Sequence, residues 1–514
     1  MRSTFAVLAL ILSLSATAQT FDIVVTPPAA LGTEHQGQWR ITVRNLTDAE
    51  ITDALVTLNI NQATFVEMEP QLECGTKFSP TEAFRQCRVP AIAPRGSFDL
   101  LVTLATVFQY NFVGTVTEVT RGDTERLFRV LTTTFWKDYP VTSTADAGPG
   151  TLRQAILDIN EQCRTISPLG LATPCRAAFD ITQKIGGDFF HTVELLSPLP
   201  ALDVPWSSVD GSTEDQSNTL GPSVALDGAA LHAGNGITVA SGTCEIKGIA
   251  IGSFPWNGIY AAGTARVNVD RSYIGVNALG FVPKPNGSRG IASEIVGGTF
   301  TNNFIAYNGR SAIYLAGPVN RGTEITGNRI FGNGASGIYV GGNERQYNFT
   351  IIRDNIISSN AHFGVAVNPG ALVIVEPNSI HSNNGGGIDI GLDGPTGGIQ
   401  GIPGRGGIYP PPVITSARYE NGATIIAGTV QPSGLTGSTL VYLYANSQLE
   451  PGGYAEGETY LAVVSAHDGT FTITLPRDLR GKYVNGVTRR NQAVPYDDAG
   501  ETATSEFGRA MLVQ

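Results

Sequence analysis

Charged residues make up only 15% of this 514-residue chain, and lysine is scarce. The formal net charge is −11 at pH 7. Such a chain carries no basic stripe for a phosphate backbone and no polybasic patch for an anionic membrane, which excludes nucleic acid as a partner. Beyond residue 18 no apolar run approaches the roughly 20 residues a membrane-spanning helix needs, so no span is expected. The six histidines, His362 and His381 among them, show no metal-ligand spacing such as H-x-x-x-H. A Ser-His-Asp elbow, a phosphate loop and a nucleotide fingerprint are also missing, which removes the commonest hydrolytic and nucleotide-dependent chemistries.

Cysteine is sparse too, with five in the chain. Cys74 and Cys87 bracket one loop and Cys163 and Cys175 another, so two local disulfides, Cys74–Cys87 and Cys163–Cys175, are expected in an oxidising compartment. Cys244 is left over; with no histidine near it in sequence, it reads as a buried structural thiol rather than a nucleophile. Residues 1–18, M-R-S-T-F-A-V-L-A-L-I-L-S-L-S-A-T-A, combine one Arg, an apolar stretch and an A-x-A ending at Ala16-Thr17-Ala18. That pattern predicts a secretory signal cut before Gln19 and a protein that is secreted, extracellular or periplasmic.

Glycine, by contrast, is abundant at 61 residues, and together with asparagine it concentrates between 234 and 407. The reason is a repeat. Ile325 to Val340 reads I-T-G-N-R-I-F-G-N-G-A-S-G-I-Y-V. Phe300 to Leu315, Ile352 to Val367 and Val375 to Ile390 align beneath it without a gap, and Val269 to Asn277 gives a shorter match. The first asparagine column reads Ser272, Asn303, Asn328, Asn355, Asn378, at spacings of 31, 25, 27 and 23 residues. The second reads Asn277, Asn308, Asn333, Asn360, Asn383, and Asn286 opens the same N-x-x-x-G-I ending.

A period in this range implies one stacked unit per repeat, and apolar positions two apart within short runs imply strands. These features describe a right-handed parallel β-helix. Coils about 4.8 Å apart bring identical amides into register, so the columns are expected to form internal hydrogen-bonded ladders. Asparagine tolerates the left-handed backbone region best among non-glycine residues, and each corner is expected to place its asparagine there. Ile246 to Phe254 fits the template with Ile249 and Phe254 in the asparagine positions, marking the edge of the ladders.

The flanks lack the repeat. Trp39-Arg-Ile41-Thr-Val43, Ala54 to Ile60 and Phe98 to Leu104 alternate with period two, which predicts a β-sandwich of immunoglobulin type over 19–136. Thr424 to Val430, Leu440 to Tyr444 and Gly469 to Leu475 predict a second sandwich over 413–514. Between them the solenoid is expected over 141–409, closed at its start by a helix at about 151–160 and ended by Pro410-Pro-Pro412, which cannot continue a hydrogen-bonded sheet. The expected class is all-β, a solenoid flanked by two sandwiches.

The G-x-L-R-Q-A-I-x-x-x-N string from Gly150 to Asn160, the S-P-L-P of Ser197 to Pro200, Asp210-Gly211 and the N-x-I coils resemble secreted bacterial right-handed β-helix proteins of pectin-lyase-like fold. The closing Thr504-Ser-Glu-Phe-Gly508 is similar to the end of the module that follows the β-helix in that family. The resemblance covers roughly 141–514 and implies polysaccharide as the partner, with calcium as a cofactor if the protein is a lyase and none otherwise. The paired aspartates, G-H-G and R-I-K segments of the related hydrolases do not occur.

Three sets of residues could carry chemistry. Arg353, Asp354 and Glu376 lie in register on consecutive coils, as candidate acid, base or charge partners; a solvated ion pair is the plainer explanation. Asp389 and Asp393, in G-I-D-I-G-L-D-G, could hold calcium at the last coil, or simply make a turn. The column after each Gly-Ile pair, Thr238, Tyr260, Ala292, Tyr314, Tyr339, Ala366, Asp389, should face outward, and its Tyr260, Tyr314 and Tyr339 are candidate sugar-stacking rings. The reading favoured is a secreted or surface protein that binds or recognises polysaccharide on the outside of the solenoid. The alternatives are a polysaccharide lyase or glycosidase of the same fold, and a structural or adhesive spacer.

Overall fold

The computed structural model describes residues 20–514 apart from 32–34, 62, 80–81, 107–111, 122–124, 165–172, 183–189, 216–217, 295, 318, 342–349, 369–370, 372, 393, 395–409, 432–437, 451 and 492–503. The predicted signal segment lies outside the described residues. The chain forms two compact units, one ending at Lys137 and one running from Asp138 to Gln514.

In the first unit two antiparallel sheets share one apolar core. One is ordered Phe21–Thr26, Gln36–Asn45, Ser97–Ala105, Thr64–Glu69; the other Cys74–Ser79, Glu82–Arg88, Ala54–Asn61, Phe112–Arg121, Glu125–Thr134. Alternation sends Trp39, Ile41 and Val43 inward and Arg40 and Arg44 to solvent, the behaviour of a half-buried strand. Asn45 at the end of that strand is buried, and its amide donates to Ala49 O, Ile92 O and Ala93 O, so the buried group is fully satisfied. Cys74 and Cys87 stand opposite each other in the Cys74–Ser79/Glu82–Arg88 hairpin and are disulfide-bonded.

The second unit opens with the helix Leu152–Gln162, with Thr151 accepting the Gln154 N–H as N-cap. Its buried face, Leu152, Ala155, Ile156 and Ile159, belongs to the same apolar core as the first coils. The disulfide Cys163–Cys175 ties its end to the strand Cys175–Phe179. Arg153 explains why the two quoted strings belong together. Its guanidinium donates to Pro198 O at 2.7 Å and Ser197 O at 2.8 Å while pairing with Asp146 at 2.6 Å.

From there the chain coils through three sheets, of nine, eight and seven strands among the described residues, with parallel registers between successive coils. Inward positions repeat almost without variation. Leu226, Ile251, Ile274, Ile305, Ile330, Ile357 and Ile380 stack in one file of the second sheet, all within 1% of full burial. Each such side chain contributes roughly 1.5–3 kcal/mol by leaving water.

Both ladders form. Asn328 shows the pattern: its Oδ1 accepts the backbone N–H of Asn303 at 2.9 Å and the Asn303 amide at 3.0 Å, and its own amide donates to Asn355 Oδ1 at 2.9 Å and to Phe300 O at 2.7 Å. Asn355 repeats this with Asn378. Asn308, Asn333, Asn360 and Asn383 form the parallel series at the next corner. The left-handed residue, however, is the one before the asparagine at most corners, while Asn286 and Asn378 follow prolines. Asn302 (φ 56°), Gly327 (69°) and Asp354 (56°) precede the first column, and Tyr307 (60°), Gly332 (64°), Ser359 (56°) and Ser382 (59°) precede the second, while the ladder asparagines keep ordinary φ. The preceding residue makes the bend, and the bend turns the following amide inward.

A second correction concerns Asn277. Its Oδ1 accepts the N–H groups of Phe281 and Val282, both at 3.1 Å, capping a hairpin inserted after the strand Tyr273–Ile274. Asn286 takes the rung instead, accepting Phe254 N–H at 3.1 Å and donating to Asn308 Oδ1 at 2.9 Å. The corner is made only after the insertion returns. Gly275 starts it, at φ 87° and with Ala306 O only 2.0 Å from where a Cβ would stand.

The solenoid ends against two antiparallel sheets, Val413–Glu420/Ala423–Thr429/Thr470–Leu475 and Thr459–Ala466/Ser438–Asn446/Tyr483–Asn491/Met511–Leu512. They complete each exposed row of the last coil. Val375 N–H donates to Thr504 Oγ1 at 2.9 Å, Ile380 N–H to Gly457 O at 3.0 Å and Ile390 N–H to Glu506 Oε1 at 3.0 Å. Asn378 N–H donates to the Tyr444 hydroxyl. Asn383 gives its N–H and its amide to the two oxygens of Glu456, at 2.7 and 2.6 Å. The T-S-E-F string is thus the seal of the solenoid.

Two outcomes are expected. Asn328→Ala strands its ladder neighbours in a buried corner and costs about 1–3 kcal/mol, read as a lowered melting temperature; a wild-type melting curve refutes the ladder's role. At Glu456, burial and then the hydrogen bond to the Glu450 carboxyl push the Glu456 carboxyl well above the usual carboxylate range, against the Asn383 hydrogen bonds that favour its ionised form. The folded chain therefore keeps a proton that the unfolded chain releases above about pH 4.3, and stability falls as pH rises past that value. Melting temperatures across pH 5–9 should decline in the wild type and decline less in Glu456→Gln.

Candidate functional site

The third sheet carries the column predicted to face outward, and its register is Thr238, Tyr260, Ala292, Tyr314, Tyr339, Ala366, Asp389. Tyr314 and Tyr339 lie on adjacent coils with ring centroids 4.7 Å apart and planes 11° apart. Arg289 places its guanidinium 3.7 Å from the Tyr314 centroid. The three groups make a pile along the solenoid axis, and pairing of this kind adds about 0.5–1.5 kcal/mol beyond burial. One face of Tyr314 is occupied by Tyr339 and the other by Arg289, so the free ring face belongs to Tyr339. Tyr260 stands apart, one coil beyond Ala292, with its hydroxyl on the Glu294 carboxylate; that hydrogen bond is the chief reason its phenol is pushed up to about 12.

Asp389 ends the column fully buried, contrary to the outward position expected of it. The strand Gly386–Ile390 is the last coil of its sheet and lies under Glu506 of the C-terminal seal, which removes it from solvent. Asp393 lies outside the described residues, and among the described residues no three His, Cys, Asp or Glu converge as metal ligands.

Arg353 feels the charges of both Asp354 and Glu376, but its hydrogen bonds go to Glu324. Arg353 reaches back along the first sheet to Glu324, and that hydrogen bond holds its guanidinium above its ordinary range. Glu376 is bound by Arg489 of the C-terminal seal, which also touches the Tyr442 hydroxyl at 3.3 Å. Asp354 occupies the left-handed corner and is exposed. Side chains two residues apart on neighbouring strands share a face, which is why Glu324 competes successfully for Arg353.

The second sheet holds what the repeat pattern did not single out. Its outward file reads Thr192, Ala225, Ala250, Tyr273, Phe304, Arg329, Ile356, Ser379. It is aromatic at Tyr273 and Phe304, and Tyr307 and Phe331 beside it extend the aromatic surface. Tyr273 and Phe304 meet at 5.2 Å, Phe304 and Phe331 at 5.2 Å, and Phe331 and Tyr307 at 5.1 Å, with Arg329 5.3 Å from both phenylalanine rings. All four rings are half-buried, so each keeps an edge or face in solvent.

Before Tyr273 the same file is small, and a cavity of about 630 Å³ opens there. Ala225, Ala250 and Ala278 line it with Phe190, an apolar cluster outside the solenoid core. The inserted hairpin supplies one wall, and from it Lys284 Nζ reaches Asp227 at 2.9 Å. Burial opposes the charge on Asp227, but hydrogen bonds from Lys284, the Ala229 N–H and Ser253 outweigh it and keep the carboxyl below its usual range. Glu194 sits one strand from Asp227 in the same file and is exposed. His191 completes the rim, 3.9 Å from the buried Glu214.

Residues 235–396 match the family model described as a right handed beta helix region. No curated protein matches the chain. Two solved structures of a GH20 exo-β-N-acetylglucosaminidase from Vibrio harveyi, one an inactive mutant and one with N-acetylglucosamine, are 10% identical. The alignments cover 22% and 26% of this chain and 17% and 22% of those chains, with TM-scores of 0.15 and 0.17. A calcium-binding mutant of Bacteroides uniformis β-glucuronidase 2 is 9% identical over 96% of this chain and 60% of that chain, with a TM-score of 0.16. The chain thus spans less than two thirds of each of these structures.

The β-helix signal in the sequence was its amide columns, and those point inward. The second-sheet site could have been found by reading the residue immediately after each inward asparagine in the same way, since Phe304 and Arg329 directly follow Asn303 and Asn328. One outcome tests the electrostatics. Lys284→Met removes the leading group that holds Asp227 ionised, so the Asp227 carboxyl should titrate higher, followed by carbon NMR of the side chain; an unmoved midpoint refutes the pairing.

Proposed function

We propose that this β-helix protein is exported and binds polysaccharide on the outer face of its solenoid, with the glycan lying along the second sheet. The observation that carries the reading is the half-exposed cluster Tyr273, Phe304, Tyr307 and Phe331 with Arg329 among them, which spans three successive coils. Pyranose rings present a C–H face that packs on aromatic rings, while their hydroxyls need donors such as a guanidinium, and this cluster offers both. Tyr339, with one ring face uncovered, and Tyr260 add a second, shorter surface on the third sheet. Export is supported by the leader pattern of residues 1–18 and by two disulfides, which persist in oxidising compartments.

Binding without turnover is favoured over elimination chemistry by the state of Arg353. A base must be free to take a proton, and this guanidinium is held in its charged form by Glu324. The test is affinity electrophoresis against neutral and acidic polysaccharides. Phe304→Ala should weaken retention about tenfold, the order expected for loss of an aromatic contact worth 1–1.5 kcal/mol, with the melting curve retained. Tyr339→Ala should weaken it less. A wild-type protein that no polymer retards refutes the reading.

A further inference from the structure

We infer that the cavity at the N-terminal end of the second sheet is a saccharide subsite selective for uncharged sugars over uronates, a reading that rests on the polysaccharide binding proposed above. The cavity continues the aromatic file, since Thr192, Ala225 and Ala250 occupy on the first coils the position that Tyr273 and Phe304 occupy on the next ones. Where the file is aromatic a ring can lie only on top of it. Where the file shrinks to alanine, the surface drops by the depth of a side chain, and a ring can lie within it. The volume, about 630 Å³, is in the range of small-ligand clefts, roughly 300–1,000 Å³.

The chemistry of the rim fits a polyol. An alanine floor receives the C–H face of a sugar ring without competing hydrogen bonds. Asp227 and Lys284, 2.9 Å apart, present an acceptor and a donor side by side, and Lys284 has ammonium protons beyond the one aimed at Asp227. Adjacent hydroxyls on a ring need that alternation, because each both donates and accepts. Glu194 adds a second acceptor from the neighbouring strand, and Thr192 a hydroxyl.

Charge then decides among sugars. Asp227 and Lys284 cancel each other, His191 stands 3.9 Å from the buried Glu214, and Glu194 is the remaining acidic side chain among the described lining residues, within a chain whose formal net charge is −11. A uronate carboxylate entering the cavity meets Glu194, and among the described lining residues Lys284 is already committed to Asp227 and His191 faces Glu214. A neutral ring meets no such opposition. Like-charge contact discriminates more sharply than lost attraction, and here it acts against acidic polymers.

The test uses the chain described above and neutral oligosaccharides, each paired with its counterpart oxidised to the uronate at C6, in calorimetric titrations. The wild type should bind the neutral member at least about tenfold more tightly. Glu194→Gln, at an exposed position, should close most of that gap without changing the melting curve. Thr192→Trp, which fills the cavity with a residue suited to strands, should weaken both members. Equal or tighter binding of the uronate by the wild type overturns the inference. If binding responds to Phe304→Ala but to neither Glu194→Gln nor Thr192→Trp, the cavity is not the subsite while polysaccharide binding stands. If no member of any pair binds, both readings fall together.

Discussion

A chain wound into stacked coils must bury its corners, and a buried corner carries backbone N–H and C=O groups that no regular sheet can pair. The asparagine ladders answer this constraint. Each side chain accepts a backbone N–H from the coil before it and donates to the next amide oxygen and to a carbonyl of the coil before, as Asn303, Asn328 and Asn355 do in turn. The arrangement holds only while every coil offers the same group at the same height. At most corners the left-handed residue before the asparagine helps aim the side chain inward, and at Asn286 and Asn378 a proline stands there instead.

A ladder also has to stop. At its last rungs the amides meet Tyr444 and Glu456, and the open strand rows meet Gly457, Thr504 and Glu506. Unpaired edges of parallel strands would otherwise recruit another chain. The C-terminal sheets serve the solenoid in this way at the cost of burying a carboxyl that prefers to stay protonated. Glu376 and Arg489 lock the same joint from outside, so acidic residues that looked free in sequence are part of the closure.

With the interior committed to isoleucine and amide, variation is confined to the outer face. The second sheet shows what that freedom produces. A single outward file passes from Thr192, Ala225 and Ala250 to Tyr273 and Phe304, changing the surface from a cavity into a ridge without altering the coil beneath. The inserted hairpin between Ile274 and Asn286 adds a wall and a lysine at the point where the two meet. The third sheet uses its outward file differently, pairing Tyr314 with Tyr339 and Arg289 so that much of its aromatic surface faces itself.

The sequence by itself determined the solenoid, its strand phase and the two ladders, because those depend on one residue type recurring at one position and each coil repeats the instruction. Both disulfides were legible for a related reason: their partners lie 13 and 12 residues apart, within local loops. Only the tertiary structure decided which rung Asn286 fills in place of Asn277, that Arg353 belongs to Glu324 and Glu376 to Arg489, and that Asp389 is sealed from water. It also decided where the cavity lies, since Glu194, Asp227 and Lys284 are brought together across three coils and an insertion. Pairings between outward side chains depend on the height and reach of neighbours that the chain supplies from distant positions, and no local pattern records which of several equally spaced partners will be nearest.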